Sequence, residues 1–224
     1  MQRLYKNYCM AKVTALKVQK RNKNRVNVYL DEAFAFGVVK IEAVKLRLGQ
    51  VLSDADIERI KKSDESEMAF EKAVAFISYR PRSEKEVRQS LKKKEIEAGL
   101  IDETVARLKR VGLLNDDQFG QMWVESRSHS KPKGARALKI ELRQKGLSRE
   151  AVDAAVAGTN DEEVARRLAA SRAPRLKKLP KIEFRRKLGD FLARRGITYD
   201  IISEVVERAW QEFGDGTHTL ENED

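Results

Sequence analysis

Cysteine, histidine, proline and aromatic side chains are all scarce in this chain of 224 residues. The one cysteine, Cys9, can neither close an internal disulfide nor complete a zinc site. It reads as a free thiol and fits a reducing compartment. The two histidines, His129 and His218, stand in a basic and an acidic stretch, neither in a metalloprotease-like setting. There is no glycine-rich phosphate loop. Asp116-Asp117 and Asp161-Glu162-Glu163 have the look of metal-binding pairs, but each follows a helix-cap residue. Carboxylates in a first helical turn are favoured by the helix dipole, so capping is the better reading. These absences argue against an enzyme and leave no cofactor or metal expected. No run approaches the roughly 18 apolar residues of a spanning helix, and Met1 to Lys12 lacks the apolar centre of a signal peptide. A cytoplasmic protein with no membrane partner is expected.

What the chain has in plenty is charge. Charged residues make up 36% of it, with a net charge of +11. That balance speaks to partners: nucleic acid, an acidic surface or an acidic protein assembly. With only four prolines and twelve glycines, long helices are possible.

The first forty residues differ from the rest. Val13 to Val18 and Arg25 to Leu30 alternate, with Val26, Val28 and Leu30 on one face, and Ala33 to Val38 follows them. Polar turns separate them, Asp31-Glu32 among these. A small antiparallel meander follows. Three short strands need a cover. Ile41 to Leu48, through Val44 and Leu48, and Asp54 to Lys62, through Ile57 and Ile60, are the natural ones.

After Ser63 the period becomes helical. Ser83 with Glu86 forms a capping box, Asn160 with Glu163 and Asn115 with Gln118 have similar spacing, and Ser148 and Thr198 look like further N-caps. Gly99, Gly112, Gly146 and Gly196 sit where helices should stop. A leucine, a basic pair and a stop recur at Leu91, Leu142 and Leu192, at spacings of 51 and 50 residues. Each is preceded by a proline-bearing basic linker: Arg80-Pro81-Arg82, Lys131-Pro132-Lys133 and Leu179-Pro180-Lys181. The expected fold is mainly α: three tandem three-helix repeats in an elongated curved array, after a small N-terminal β-meander and helix segment. The expected boundaries are 1–62 for the N-terminal extension, 63–113, 114–158 and 159–213 for the repeats, and 214–224 for an acidic, disordered tail.

The positive charge clusters in the second and third repeats. Between Arg127 and Arg149 there are eight basic residues and one acid, Glu141. Aligned across repeats, the linkers and middle helices would form a basic stripe suited to a polymeric anion. The candidate contact residues are Arg80, Arg82, Lys131, Lys133, Arg136, Lys139, Arg143, Arg172, Arg175, Lys177, Lys178, Lys181, Arg185 and Arg186. The competing reading is a set of solvated helix faces. Trp123, Phe184, Phe191 and Trp210 lie at core spacing, which weakens a base-stacking platform. Replacing Lys131, Lys133, Arg136 and Lys139 with Glu is expected to abolish binding and spare the fold.

Tyr79-Arg80-Pro81-Arg82-Ser83 with Glu86-Val87 and Leu91, Gly112-Leu113-Leu114-Asn115-Asp116 with Phe119, and Lys133-Gly134 with Glu141-Leu142 and Lys145-Gly146-Leu147 together resemble the RecX family of regulators of the recombinase RecA. The resemblance covers nearly the whole chain. Departures are Gly120 where alanine is common, Glu95 where glycine is usual, and an insertion-like stretch from Pro174 to Lys181. The resemblance implies a non-enzymatic regulator, acting as a monomer in DNA repair. It would lie in the helical groove of the RecA–single-stranded DNA filament and mainly inhibit strand exchange, ATP hydrolysis and LexA co-cleavage. The alternative left by the residues alone is a general nucleic-acid-binding protein acting on DNA directly.

Overall fold

The computed structural model describes residues 10–214. Cys9, His218 and the acidic tail expected over 214–224, Gly214 apart, lie outside them. Among described residues the chain forms two units: the part up to Arg80 with Val87–Leu113, and Pro81–Glu86 with the part from Leu114 onward.

The first unit opens with four antiparallel strands, β1 (Met10–Val18), β2 (Arg25–Leu30), β3 (Ala33–Val39) and β4 (Val51–Ser53), in the order β3-β2-β1-β4. The alternation dictates the faces. Val26, Val28 and Leu30 point inward and are 5%, 0% and 9% exposed. Asp31 and Glu32 both take positive φ, as a two-residue hairpin loop requires. β4 is the strand that three residues of pattern were too short to announce.

The cover differs from expectation at its first piece. Helix α1 spans only Lys40–Ala43, and Ala43 and Leu46 are buried while Ile41, Val44 and Leu48 are exposed. The second piece holds: Ile57 and Ile60 pack on the sheet from α2 (Asp54–Ser78). α2 starts at a Ser53–Asp56 capping box and runs 25 residues unbroken, so the expected boundary at 62/63 lies inside it. Buried Asp64 fastens α2 to the sheet, accepting from the Val39 amide at 2.6 Å and the Arg25 guanidinium at 2.9 Å.

Eight further helices follow: α3 (Glu84–Lys93), α4 (Ala98–Arg110), α5 (Asp116–Ser130), α6 (Ala135–Gln144), α7 (Arg149–Val156), α8 (Asp161–Arg172), α9 (Lys181–Arg194) and α10 (Tyr199–Phe213). With the later part of α2 they make three three-helix repeats. Asn115, Ser148 and Asn160 cap as read. Thr198 holds the N-cap position, but its side chain makes no cap hydrogen bond.

The three middle helices stop identically. Ile96, Leu147 and Ile197 donate their amides back to Leu91, Leu142 and Leu192, the six-to-one bond of a Schellman end. The residue before each is left-handed: Glu95 at φ 59°, Gly146 at 92° and Gly196 at 86°. Gly99 is not a stop; it lies in the first turn of α4, and Glu95 occupies the stop position. An L side chain in that region costs about 1 kcal/mol. Glu95→Gly is therefore expected to stabilise the chain by about 1 kcal/mol, read as a higher urea midpoint at unchanged slope. A lowered midpoint would mean that the Glu95 side chain contributes more than its strain costs.

The second unit is latched by one geometry used twice. The Ser83 hydroxyl donates to the Lys145 carbonyl at 2.7 Å, and the Glu84 amide to Asp116 Oδ1 at 2.9 Å. At the equivalent positions the Gly134 amide donates to the Arg195 carbonyl at 2.8 Å, and the Ala135 amide to Asp161 Oδ1 at 2.7 Å. The N-termini of α3 and α6 are thus satisfied by the next middle-helix end and by the first carboxylate of the next repeat's first helix. Asp116 and Asp161 are latches, beyond the capping reading.

Candidate functional site

The expected contact residues divide by what their charges do. Lys133 is half-buried and spent inside the fold. It pairs with Glu141, which also accepts from Trp123 Nε1 at 2.8 Å and Arg127 Nε at 3.0 Å. Arg127 lies 4.3 Å and Lys145 Nζ 4.8 Å from the Trp123 ring, and Lys145 pairs with Glu86 at 2.8 Å. Trp123 stacks on Phe119 in the repeat core, as its spacing suggested. The lone acid of the basic segment is therefore the hub of a packed polar cluster.

Burial raises the Glu141 carboxyl, but hydrogen bonds from Lys133, Arg127 and Trp123 outweigh it and hold the group below its ordinary range. A depressed folded value gives stability that is present above the unfolded carboxylate range and lost as pH falls through the folded value. Glu141→Gln is expected to cost about 2 kcal/mol near neutral pH, with the gap to the parent closing on acidification. Urea titrations at several pH values read this. A pH-independent gap would show that charge at Glu141 is irrelevant.

Lys139 is likewise paired, with Asp153 at 2.6 Å, and its hydrogen bond lowers the Asp153 carboxyl. Lys181 and Arg185 share Glu207 at 3.2 and 3.4 Å. Arg172 sits 5.7 Å from the Phe191 ring. Arg80 is exposed and Arg82 half-buried, and both are engaged with neighbours.

The remaining candidates, Lys131, Arg136, Arg143, Arg175, Lys177, Lys178 and Arg186, are exposed and form no ion pair among the described residues. Local structure explains their exposure. On α6, Leu138 and Leu142 face the core, which turns Arg136 and Arg143 outward on one stripe with Lys139. Between α8 and α9 a 3-10 turn at Ala173–Arg175 is pinned by buried Ala173 and Leu176. Arg175, Lys177 and Lys178 alternate with those anchors and project into solvent.

The charge repeats position by position in the first two repeats and only in part in the third. The α6 stripe of Arg136, Lys139 and Arg143 has its counterpart on α3 as Lys85, Arg88 and Lys92, which are not among the expected contact residues. On α9 the counterparts are Arg186, Gly189 and Ala193. The repeat spacing itself held that signal. Among the described residues no three His, Cys, Asp or Glu side chains converge as a metal site would need. No helix there is long and apolar enough to cross a membrane.

Four family models match the chain in order: the regulatory protein RecX N-terminal domain over residues 11–52, and the first, second and third RecX three-helix domains over 69–108, 115–156 and 160–206. Among curated proteins, regulatory protein RecX of Listeria monocytogenes serovar 1/2a is 34% identical over 207 residues, covering 90% of this chain and 77% of that protein. Its counterpart in Bacillus subtilis strain 168 is 34% identical over 210 residues, covering 92% and 80%. A crystal structure of regulatory protein RecX matches with a TM-score of 0.74 over 88% of this chain and 99% of that one; at 24% identity it speaks for the fold alone.

Proposed function

The chain belongs to the RecX family of regulatory proteins, and from that premise we propose that it binds the RecA–single-stranded DNA filament, lies in its helical groove and mainly inhibits strand exchange, ATP hydrolysis and co-protease activity. The observation that carries the reading is the division of cations just described. Lys131, Arg136 and Arg143 in the second repeat, and Arg175, Lys177, Lys178 and Arg186 in the third, are exposed and form no ion pair among the described residues. Unpaired cations held on helices and on a turn pinned by buried Ala173 and Leu176 meet both phosphate and acidic protein surface at low ordering cost. Several such weak contacts on one body sum to useful avidity. The reading includes a monomer in the cytoplasm with binding, and no catalysis, as its activity.

RecA's DNA-dependent ATP hydrolysis tests this. Inhibition well below one copy per recombinase monomer is expected. Inhibition only at ratios that coat the DNA would favour the alternative of a general DNA-binding protein. Affinity for naked single strands should fall with salt, and each exposed cation removed should flatten the log–log slope by about 0.7. A slope unmoved by Lys177→Ala with Lys178→Ala would remove these two residues from the DNA-contacting set.

A further inference from the structure

In the first two repeats the middle and third helices are bridged across their outer face by one ion pair in the same place. Arg88 of α3 pairs with Asp102 of α4, and Lys139 of α6 pairs with Asp153 of α7. Buried Leu138 and Leu142 of α6 correspond to buried Leu188 and Leu192 of α9. That register puts Gly189 where Lys139 stands and Ser203 where Asp153 stands. The third repeat therefore lacks the pair at this position, its α9–α10 ion pairs lying instead at Glu207 with Lys181 and Arg185, and a groove of about 310 Å³ lies open between α9 and α10. Its floor is Ile202 and Val206, its rim Arg185, Arg186, Asp190 and Tyr199. Tyr199 is 80% exposed, and Arg186 has no partner among the described residues.

We propose that this groove is a docking site for an acidic peptide segment carrying one apolar side chain, presented by a protein partner. The proposal rests on the filament reading above and names the partner chemistry at one place within it. An apolar floor takes an aliphatic or aromatic side chain, and the unpaired Arg186 on the rim takes a carboxylate beside it, while Arg185 is already shared with Glu207 at 3.4 Å. A phosphate backbone fits less well. It would set continuous negative charge against Asp190 and leave the apolar floor unused, whereas a peptide can offer Asp190 a backbone N–H.

The sibling repeats supply the test. Gly189→Lys with Ser203→Asp restores their ion pair and fills the groove. A Cβ at Gly189 would meet only Ile202 Cγ2, at 3.6 Å, so the helix accepts it. Methyl NMR of the full chain would follow Ile202 and Val206 during titration with a blocked Glu-Glu-Leu-Glu-Glu peptide. The same peptide with Ala for Leu, and a short oligothymidylate, serve as controls. The leucine peptide is expected to move both signals, the alanine version to bind at least tenfold more weakly, and the double variant to show no shift while its circular dichroism is unchanged.

Three outcomes would overturn the proposal. Shifts caused by the oligonucleotide and not the peptide would make the groove a nucleic-acid contact. No shift with any probe would leave it unoccupied. Peptide binding only after removal of residues 215–224 would make the chain's own acidic segment, with Leu220, the occupant. The filament reading fails separately: peptide binding by a chain that does not inhibit RecA would retain the groove and reject the filament.

Discussion

Reversing Arg136, Arg143, Lys177 and Lys178 to glutamate together is expected to weaken filament binding at least a hundredfold and abolish inhibition of ATP hydrolysis, with the melting temperature held within about 5 °C. The four are exposed on the described structure and form no ion pair there. Surface changes away from packed features shift stability by about 0.5 kcal/mol or less each. Each reversal turns an attraction into a repulsion, and about 0.7 kcal/mol per site over four sites is already a hundredfold. The set differs from the one the sequence suggested. Lys133→Glu would face Glu141 within the Trp123 cluster, and Lys139→Glu would face Asp153. Those two reversals test packing as well as charge. Full inhibition by the four-site variant at parental concentrations would remove the exposed cations from the mechanism.

Gly196→Ala is expected to destabilise the second unit by about 3 kcal/mol, the largest single-residue effect foreseen here. Two costs add. The residue sits at φ 86°, where an L side chain costs about 1 kcal/mol. The added Cβ would also lie 2.5 Å from both the Cβ and the amide nitrogen of Ala137. Neither can move without shifting the start of α6, and overpacking of this kind costs about 1–3 kcal/mol. Gly146→Ala is expected to cost less. There the contacts are the Lys85 Cβ and Cδ at 2.7 Å with no backbone atom among them; the Cδ can swing aside, and the Cβ yields only with a shift of the start of α3. Together with Glu95→Gly this gives an order for one structural position: gain, moderate loss, large loss. Urea denaturation of the three variants reads it directly. Equal losses at Gly146 and Gly196 would mean that backbone conformation alone sets the cost, without close approach.

The helical repeats were readable in the sequence because their signals are local. Caps at Asn115, Ser148 and Asn160 need only neighbours three residues away, and the middle-helix stops need a leucine and a left-handed residue four positions on. Errors arose where a residue's role depends on something distant in sequence. Val44 and Leu48 have helical spacing, yet a four-residue helix rolls Ala43 and Leu46 inward. Gly99 resembled a stop until Glu95 proved to hold the left-handed position. The candidate cations were legible as a basic population, and which of them the fold pairs was not. Lys133, Lys139 and Arg185 look like Arg136 and Arg143 in composition. Only the fold brings Glu141, Asp153 and Glu207 against the first three. Part of this was recoverable: Arg88 with Asp102 and Lys139 with Asp153 occupy matching places in two repeats, so their pairing was written in the repeat spacing.

The most direct test of the central claim is electron cryo-microscopy of the full chain on a RecA–single-stranded DNA filament. Density for the chain along the helical groove, with α6 and the Arg175–Lys178 segment turned toward the filament, is the predicted result. A filament whose groove stays empty while the chain coats bare DNA would contradict it.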